Sequence, residues 1–511
     1  MRAAEEAAFA RGISAEALMD EAAAGIARAV VRFFPQPGRC IVFAGKGNNA
    51  GDAFAAVALL QKRGWKIELR LTYAAEECGE LAAKKLRAIA PHSRESGDRG
   101  SPTIILDGLL GLGSRTPLRE PIAGACREIN RLRAGENAFV FAIDLPSGLD
   151  GDTGEADADC VVADFTITIG YAKQALLADR ALDFVGRLEV VPLANLGATA
   201  SPATGTPPVG EAVSFPPLTP GKLAASPTEN QTDPHGVVAT AASLRQLLPR
   251  RKFSAYKNQF GRVGIVAGSK GLTGAAILCA TGALRAGAGL VELFVPEEIY
   301  AIVASSLPSE AMVKSLTSFA ALPNEKIDVW AIGPGLGRAH ANEISKLIAD
   351  AHQPVVLDAD GLNIAADHLA VLDTRSGPRL LTPHPGEMHR LMASDGTSRL
   401  ETAERFCAAH PVTLLLKGSR TIVCEKDRAI SYNTTGNPGM ATGGMGDVLT
   451  GVCAALIAQN LSTYDAARLG AWLCGRAAEI AIFNGNSSEE SLLPHDVLAH
   501  LGAAFDDLRA L

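Results

Sequence analysis

Six glycine-rich strings set the terms for what this chain can fold into: GKGNNAGD (45–52), GLLGLG (108–113), PSGLDGDTG (146–154), GSKGLTG (268–274), GPGLG (333–337) and GNPGMATGGMGD (436–447). Most stand between a short apolar run and a helical pattern. Glycine inside a strand or helix costs stability, so glycines gathered at boundaries read as tight turns or as places where backbone approaches a ligand. The chain has 51 glycines in 511 residues, about a tenth where roughly 7% is usual, and these strings hold much of the excess.

The flanking segments name the fold class. In the first half CIVFA (40–44), KIELRLTY (66–73), TIILDGL (103–109), AFVFAID (138–144) and DFTITIG (164–170) read as strands, with a helix over 53–64 stopped at Gly64. In the second half RVGIVAG (262–268), LVELFVP (290–296), DVWAIG (328–333), PVVLDAD (354–360), RLLTPH (379–384) and VTLLLKG (412–418) do the same, and helical patterns at 447–459, 465–483 and 494–508 close the chain. Strands alternating with helices predict an α/β protein with parallel sheets covered on both faces. Residues 197–237 are rich in Pro, Ser and Thr without periodicity and read as a linker. Two domains are expected, 1–196 and 238–511.

Composition narrows the function. A 47% hydrophobic content excludes wholesale disorder. A net charge of −7 argues against nucleic acid or an anionic membrane as partner. The nine cysteines include no Cys-x-x-Cys pair, which excludes a zinc ribbon and a disulfide framework and fits reduced thiols in a cytoplasm. No apolar run reaches the roughly 18 residues of a membrane span, and MRAAEEAAFARG lacks the apolar core of a signal peptide.

In open parallel sheets ligands bind beyond the carboxyl ends of the strands. Those ends present Asn48, Asn49, Asp52, Asp107, Asp144 and Ser147 to one crevice. GKGNNAGD is neither a P-loop nor a Gly-x-Gly-x-x-Gly turn. It reads as N–H groups at a helix start, suited to an anion, or as a plain capped turn. Carboxylate, amide and hydroxyl oxygens are hard ligands that suit an alkali or alkaline-earth cation. In the second half Gly443, Gly444 and Gly446 lead into a helix that begins with Asp447. Either Asp447 caps that helix, or it takes a hydroxyl proton while the glycine N–H groups hold a transferring phosphoryl group.

GKGNNAGDAF, ILDGLLGLGSRTPL and AIDLPSGLDGDTG, with RGISAEALMDEAA (11–23), resemble the NAD(P)H-hydrate epimerase family. The resemblance implies a Rossmann-like fold that interconverts the R and S forms of hydrated NADH and NADPH. It implies cofactor contacts from Asn48, Asn49, Ala50, Gly51 and Asp52 and from Gly111, Leu112, Gly113, Ser114, Arg115, Thr116 and Pro117. It further implies a K+ site of Asn49, Asp107 and Ser147, with Asp144 as acid/base residue. The family has glycine where this chain has Ala50 and Ala53, and a Cβ at Ala50 is expected to restrict positive φ and close backbone approach.

YKNQFGRVGIVAGSKGLTGAA, IGPGLG, PVVLDADGLN, LTPHPGE, LLKGSRT and MATGGMGDVLTG, in order from 256 to 451, resemble the ribokinase-like ADP- or ATP-dependent NAD(P)H-hydrate dehydratases. That resemblance implies Asp447 as the base. Gly446 and Lys417, Gly418, Ser419, Arg420 and Thr421 would contact the nucleotide, and Ala275, Gly335, Gly337 and His384 the hydrate. Mg2+ would arrive with ADP or ATP. Asp358, Asp360, Asn363 and Glu387 stay open between magnesium support and helix capping. A bifunctional enzyme is expected, a homo-oligomer acting on small molecules. The alternative is a ribokinase-like small-molecule kinase with a non-catalytic N-terminal binding module.

Overall fold

The computed structural model describes residues 2–89, 101–112, 116–136, 138–194, 236–374, 376–393 and 396–510. The expected linker lies outside the described residues except for its last two positions, and Val237 already begins a strand.

The first six strands are β1 (Arg39–Ala44), β2 (Lys66–Leu71), β3 (Thr103–Gly108), β4 (Phe139–Ile143), β5 (Phe165–Ile169) and β6 (Arg187–Val191). They form one sheet in the order β2-β1-β3-β4-β5-β6, parallel throughout. Their near-continuous apolar sequences follow from burial on both faces. Cys40, Val42 and Leu106 pack on one side, and Ile41, Phe43 and Ile105 on the other.

The second sheet has ten strands: β7 (Val237–Ala239), β8 (Arg262–Val266), β9 (Leu290–Pro296), β10 (Met312–Leu316), β11 (Val329–Ile332), β12 (Val355–Leu357), β13 (Arg379–Leu381), β14 (Thr413–Leu416), β15 (Thr421–Glu425) and β16 (Ser431–Asn433). Its order is β10-β9-β8-β11-β12-β13-β14-β15-β16-β7. The parallel expectation fails at one edge, where β14–β15 and β15–β16 are antiparallel. β7 and β16 are three residues long, too short to show a period, and β10 is largely unburied, so its sequence lacks the apolar signal.

Both sheets reverse their winding direction once, between β1 and β3 and between β8 and β11. At such a switch point the loops diverge and leave a crevice. The glycine strings at 45–52, 108–113, 268–274 and 333–337 border these two crevices.

The two domains meet through an aromatic and an ionic contact. Phe483 ends the helix Thr463–Phe483 and lies with ring centroids 5.5, 5.8, 6.1 and 5.5 Å from Phe33, Phe34, Phe139 and Phe165. Arg187 on β6 pairs with the fully buried Glu479, which also meets Arg476 at 3.0 Å and accepts from Gly436 N at 2.9 Å. Burial opposes ionisation of Glu479, but Arg187 and Arg476 hold its pKa below the ordinary carboxylate value. Glu479→Ala would leave Arg187 and Arg476 with Glu189 at 3.1 Å and Asp507 at 2.6 Å as their ionic partners, and we expect a loss of about 1–3 kcal/mol in urea unfolding. A loss under about 1 kcal/mol would show that water compensates the two guanidinium groups.

Candidate active sites

The N-terminal crevice is built around three carboxyl groups in different surroundings. Asp107 ends β3, is wholly buried, and accepts from Ser147 N at 2.8 Å, Ser147 Oγ at 2.7 Å and Leu109 N at 3.2 Å. Burial pushes its pKa up to about 6 against those donors, and among the described residues no cationic side chain is a partner. Asn49 reaches the same turn, donating to Leu110 O at 2.8 Å, while Ser147 Oγ accepts from Leu110 N at 3.0 Å. The expected cation ligands Asn49, Asp107 and Ser147 thus converge on one backbone turn.

Asp144, just past β4, has φ 68°. Its Oδ1 meets Lys173 Nζ, which also donates to Thr168 Oγ1 at 2.9 Å and Ile169 O at 3.2 Å. Lys173 and Thr168 were not singled out from sequence: a lysine in a loop after a strand carries no motif, and only the fold shows that it turns back onto Asp144. Asp52 faces the same region. Burial and the neighbouring Asp144 push its pKa well above the ordinary value. Two carboxyl groups with divergent environments are a common basis for acid/base work.

The alanine departures resolve simply. The helix runs Asn48–Gln61 with Gly47 as an N-cap that makes no side-chain bond, so its first N–H groups stay open. Ala50 lies inside this helix, outside the positive-φ residues, and its methyl packs with Ala44, Phe54 and Ala82. The expected restriction on positive φ does not arise. Ala53 packs beneath Gly108, where a Cβ would stand 2.6 Å from the Ala53 methyl. Gly111 lies beside Asn49, Leu112 is exposed, and Thr116 and Pro117 follow, while Gly113, Ser114 and Arg115 lie outside the described residues. Lys46 stands over the Tyr73 ring at 4.4 Å.

The C-terminal crevice centres on the start of the helix Met445–Ala458. Its N-cap Gly444 has φ 94°, and a Cβ there would lie 2.6 Å from Leu278. Glycine is required, and the helix start carries no side-chain cap. Asp447 sits in the first turn. Burial and Asp358 push its pKa up to about 7, with Lys417 acting against them. Lys417 Nζ lies 2.8 Å from Asp358 Oδ1 and 3.7 Å from Glu387 Oε2. Burial works against the Lys417 ammonium, but Asp358, Glu387 and Asp447 hold its pKa above the ordinary value. A Cβ on Gly446 would stand 3.1 Å from Lys417 Nζ, so Gly446 lets the lysine approach the helix.

Asp358, left open above, has its oxygens occupied. Oδ1 accepts from Lys417 and from Thr382 Oγ1 at 3.0 Å, and Oδ2 from Thr450 Oγ1 at 3.0 Å. Asp360 accepts from Gly337 N at 2.8 Å and Asn363 Nδ2 at 3.2 Å, and Glu387 accepts from His384 N at 2.8 Å. Each of these carboxylates thus has partners on neighbouring backbone or side chains. His384 Nδ1 accepts from Gly386 N at 3.0 Å, which assigns its proton to Nε2. Ala275 and Gly335 lie side by side across the β8–β11 switch, a Cβ on Gly335 meeting the Ala275 methyl at 3.0 Å. In the 417–421 segment Ser419 is exposed, Thr421 Oγ1 donates to Gly418 O at 3.1 Å, and the Arg420 side chain is buried away from Lys417 against Gly186 O at 2.6 Å. Among the described residues no three His, Cys, Asp or Glu side chains form a metal cage, and no helix is long and apolar enough to cross a membrane.

Residues 263–500 match the NAD(P)H-hydrate dehydratase family, and residues 15–175 match the YjeF-related protein N-terminus. The bifunctional NAD(P)H-hydrate repair enzyme Nnr of Moorella thermoacetica is 35% identical over 91% of this chain and 88% of its own length. The chain belongs to the family of bifunctional NAD(P)H-hydrate repair enzymes. The family's Escherichia coli member, also named Nnr, is 32% identical over 94% of this chain and 88% of its own length. A solved ADP/ATP-dependent NAD(P)H-hydrate dehydratase of Bacillus subtilis, co-crystallised with ATP/Mg2+, aligns with 53% of this chain and 99% of its own at 28% identity and a TM-score of 0.47. Within this family the helical setting of Ala50 makes a direct prediction. Ala50→Gly is expected to leave epimerisation of NAD(P)H hydrate unchanged and to lower stability by about 1 kcal/mol or more, because a helical methyl is removed from the core. A faster epimerisation would restore the idea that the alanine obstructs the backbone cradle.

Proposed function

We infer that the N-terminal domain interconverts R- and S-NAD(P)H hydrate and that the C-terminal domain dehydrates the S form with ADP or ATP, releasing AMP or ADP and phosphate. The observation that carries this reading is the Asp447 carboxyl, raised to about 7, at an uncapped glycine helix start beside Lys417. A base of that strength can take the hydrate hydroxyl proton near neutrality. The hydroxyl oxygen bonds to the terminal phosphorus as the bond to the nucleotide leaving oxygen breaks. The open N–H groups and Lys417 stabilise the charge on the transferring group. Phosphate then leaves with its C–O bonding pair, a neighbouring ring proton is lost, and the dihydronicotinamide double bond returns. A small-molecule kinase would stop at the phosphorylated product.

At the other site Asp144 is the acid/base residue and Lys173 fixes its orientation. Asn49, Asp107 and Ser147 suit K+, since among the described residues Asp107 is buried against neutral donors and has no counter-charge. The ion would supply that charge and hold the turn. The first glycine string holds the hydrated cofactor through its open N–H groups. Gly446 and the 417–421 turn serve the nucleotide, and Ala275, Gly335, Gly337 and His384 the hydrate. Mg2+ would enter with the nucleotide phosphates. The domain division 1–196 and 238–511, a cytoplasmic location consistent with nine free thiols, and a homo-oligomer, to be checked by sedimentation, belong to the same reading.

Supplied with R-hydrate and ADP or ATP, the wild-type chain should convert all of it to NADH. Asp144→Ala should reduce that conversion to the spontaneous rate while S-hydrate turnover stays intact. Loss of both activities would assign Asp144 to the fold. For S-hydrate, kcat/KM should rise with pH through about 7, because the acid form of Asp447 cannot accept a proton, and fall roughly tenfold per unit below that. In Asp447→Asn, a residual rate that still shows that limb would place the base elsewhere.

A further inference from the structure

The four residues Lys417–Arg420 join β14 to β15, and two arginines fix this turn, Arg399 from outside it and Arg420 from within. Arg399 is the first residue of the helix Arg399–Ala409, where the positive end of the helix dipole disfavours a cation. What holds it there is a set of acceptors. Its Nη2 donates to the carbonyls of Leu416, Lys417 and Arg420 at 3.4, 3.3 and 3.1 Å, and its Nη1 to Asp179 Oδ1 at 3.2 Å. A Cβ on Gly418 would stand 2.4 Å from that Nη2, so the glycine admits the guanidinium. Arg420 donates to Gly186 O at 2.6 Å.

Asp179 and Gly186 both belong to the N-terminal domain. Asp179 follows Lys173 by six residues, and Gly186 immediately precedes β6. On one side, therefore, the turn presents Lys417 to Asp358 and Asp447. On the other it is held by the neighbouring domain. A parallel strut runs from Arg187 through Glu479 to Gly436 N, where the segment leading to the Asp447 helix begins.

We propose that Arg399 is a positioning residue of the dehydratase site, and that the N-terminal domain, through Asp179 and the Gly186 carbonyl, holds the Lys417–Arg420 turn in its nucleotide-binding shape. This rests on the reading that the turn serves the nucleotide. The epimerase half is then a structural part of its neighbour's active site as well as a supplier of the S epimer.

The test uses the full-length chain, with KM for ADP or ATP and KM for S-hydrate measured separately. Arg399→Ala should raise the nucleotide KM about tenfold and leave the hydrate KM and the epimerisation rate unchanged. Arg399→Lys should recover only part, since one ammonium cannot span three carbonyls and a carboxylate. Asp179→Ala removes a half-exposed carboxylate in the other domain, so folding is not at risk, and should raise the nucleotide KM about two- to fivefold. Lys417→Ala is the reference. If it raises the nucleotide KM while Arg399→Ala and Asp179→Ala do not, the proposal is wrong. If Lys417→Ala leaves it unchanged, the nucleotide reading of the turn fails instead. Equal rises in both KM values with a lower Tm would reduce Arg399 to a fold residue and also overturn the proposal.

Discussion

Close approach of backbone to backbone at the strand ends is the constraint on which both sites rest. At Gly335 an added Cβ would lie 2.8 Å from the Leu272 carbonyl oxygen, and at Gly45 it would lie 2.3 Å from that of Leu109. Neither contact can be relieved by rotating a side chain. Because these turns are tight, the loops after β8 and β11, and after β1 and β3, fold against each other and leave their N–H groups and carboxylates facing one crevice. The glycine excess is the sequence cost of two such crevices in one chain.

Within that frame, the surroundings of each carboxylate set what it does. Asp358 is buried but answered by Lys417, Thr382 and Thr450, so it braces. Asp144 has Lys173. Asp107 has neutral donors among the described residues, and burial raises its pKa. Asp447 is buried and has an acidic neighbour in Asp358, and its pKa rises toward neutrality against the pull of Lys417. Four aspartates at four strand or helix ends thus stand in four different surroundings of burial and partner charge, which residue type alone does not distinguish.

Sequence reading reached the strand-to-helix pattern, the two-domain division of motifs and the convergence of Asn49, Asp107 and Ser147, because glycine turns and apolar runs are local signals. It did not reach Lys173, Thr168 or Arg399, whose partners lie on other elements and leave no spacing to read. It placed Ala50 by analogy with glycine, whereas the helix starts at Asn48 and turns that methyl inward. It assigned Arg420 to the nucleotide as part of a segment, although the side chain is buried against Gly186. The antiparallel edge β14–β15–β16 escaped because strands of three to five residues show too few alternations for a period.

Together the two halves of the chain clear both epimers of a damaged cofactor, epimerising one and dehydrating the other. The most direct measurement supplies the wild-type protein with a defined mixture of R- and S-NADH hydrate and excess nucleotide, and follows NADH absorbance and free phosphate together. The whole mixture should be converted, with one phosphate released per NADH formed. Conversion that stops at the S fraction, or a phosphorylated hydrate that accumulates without NADH, would contradict it.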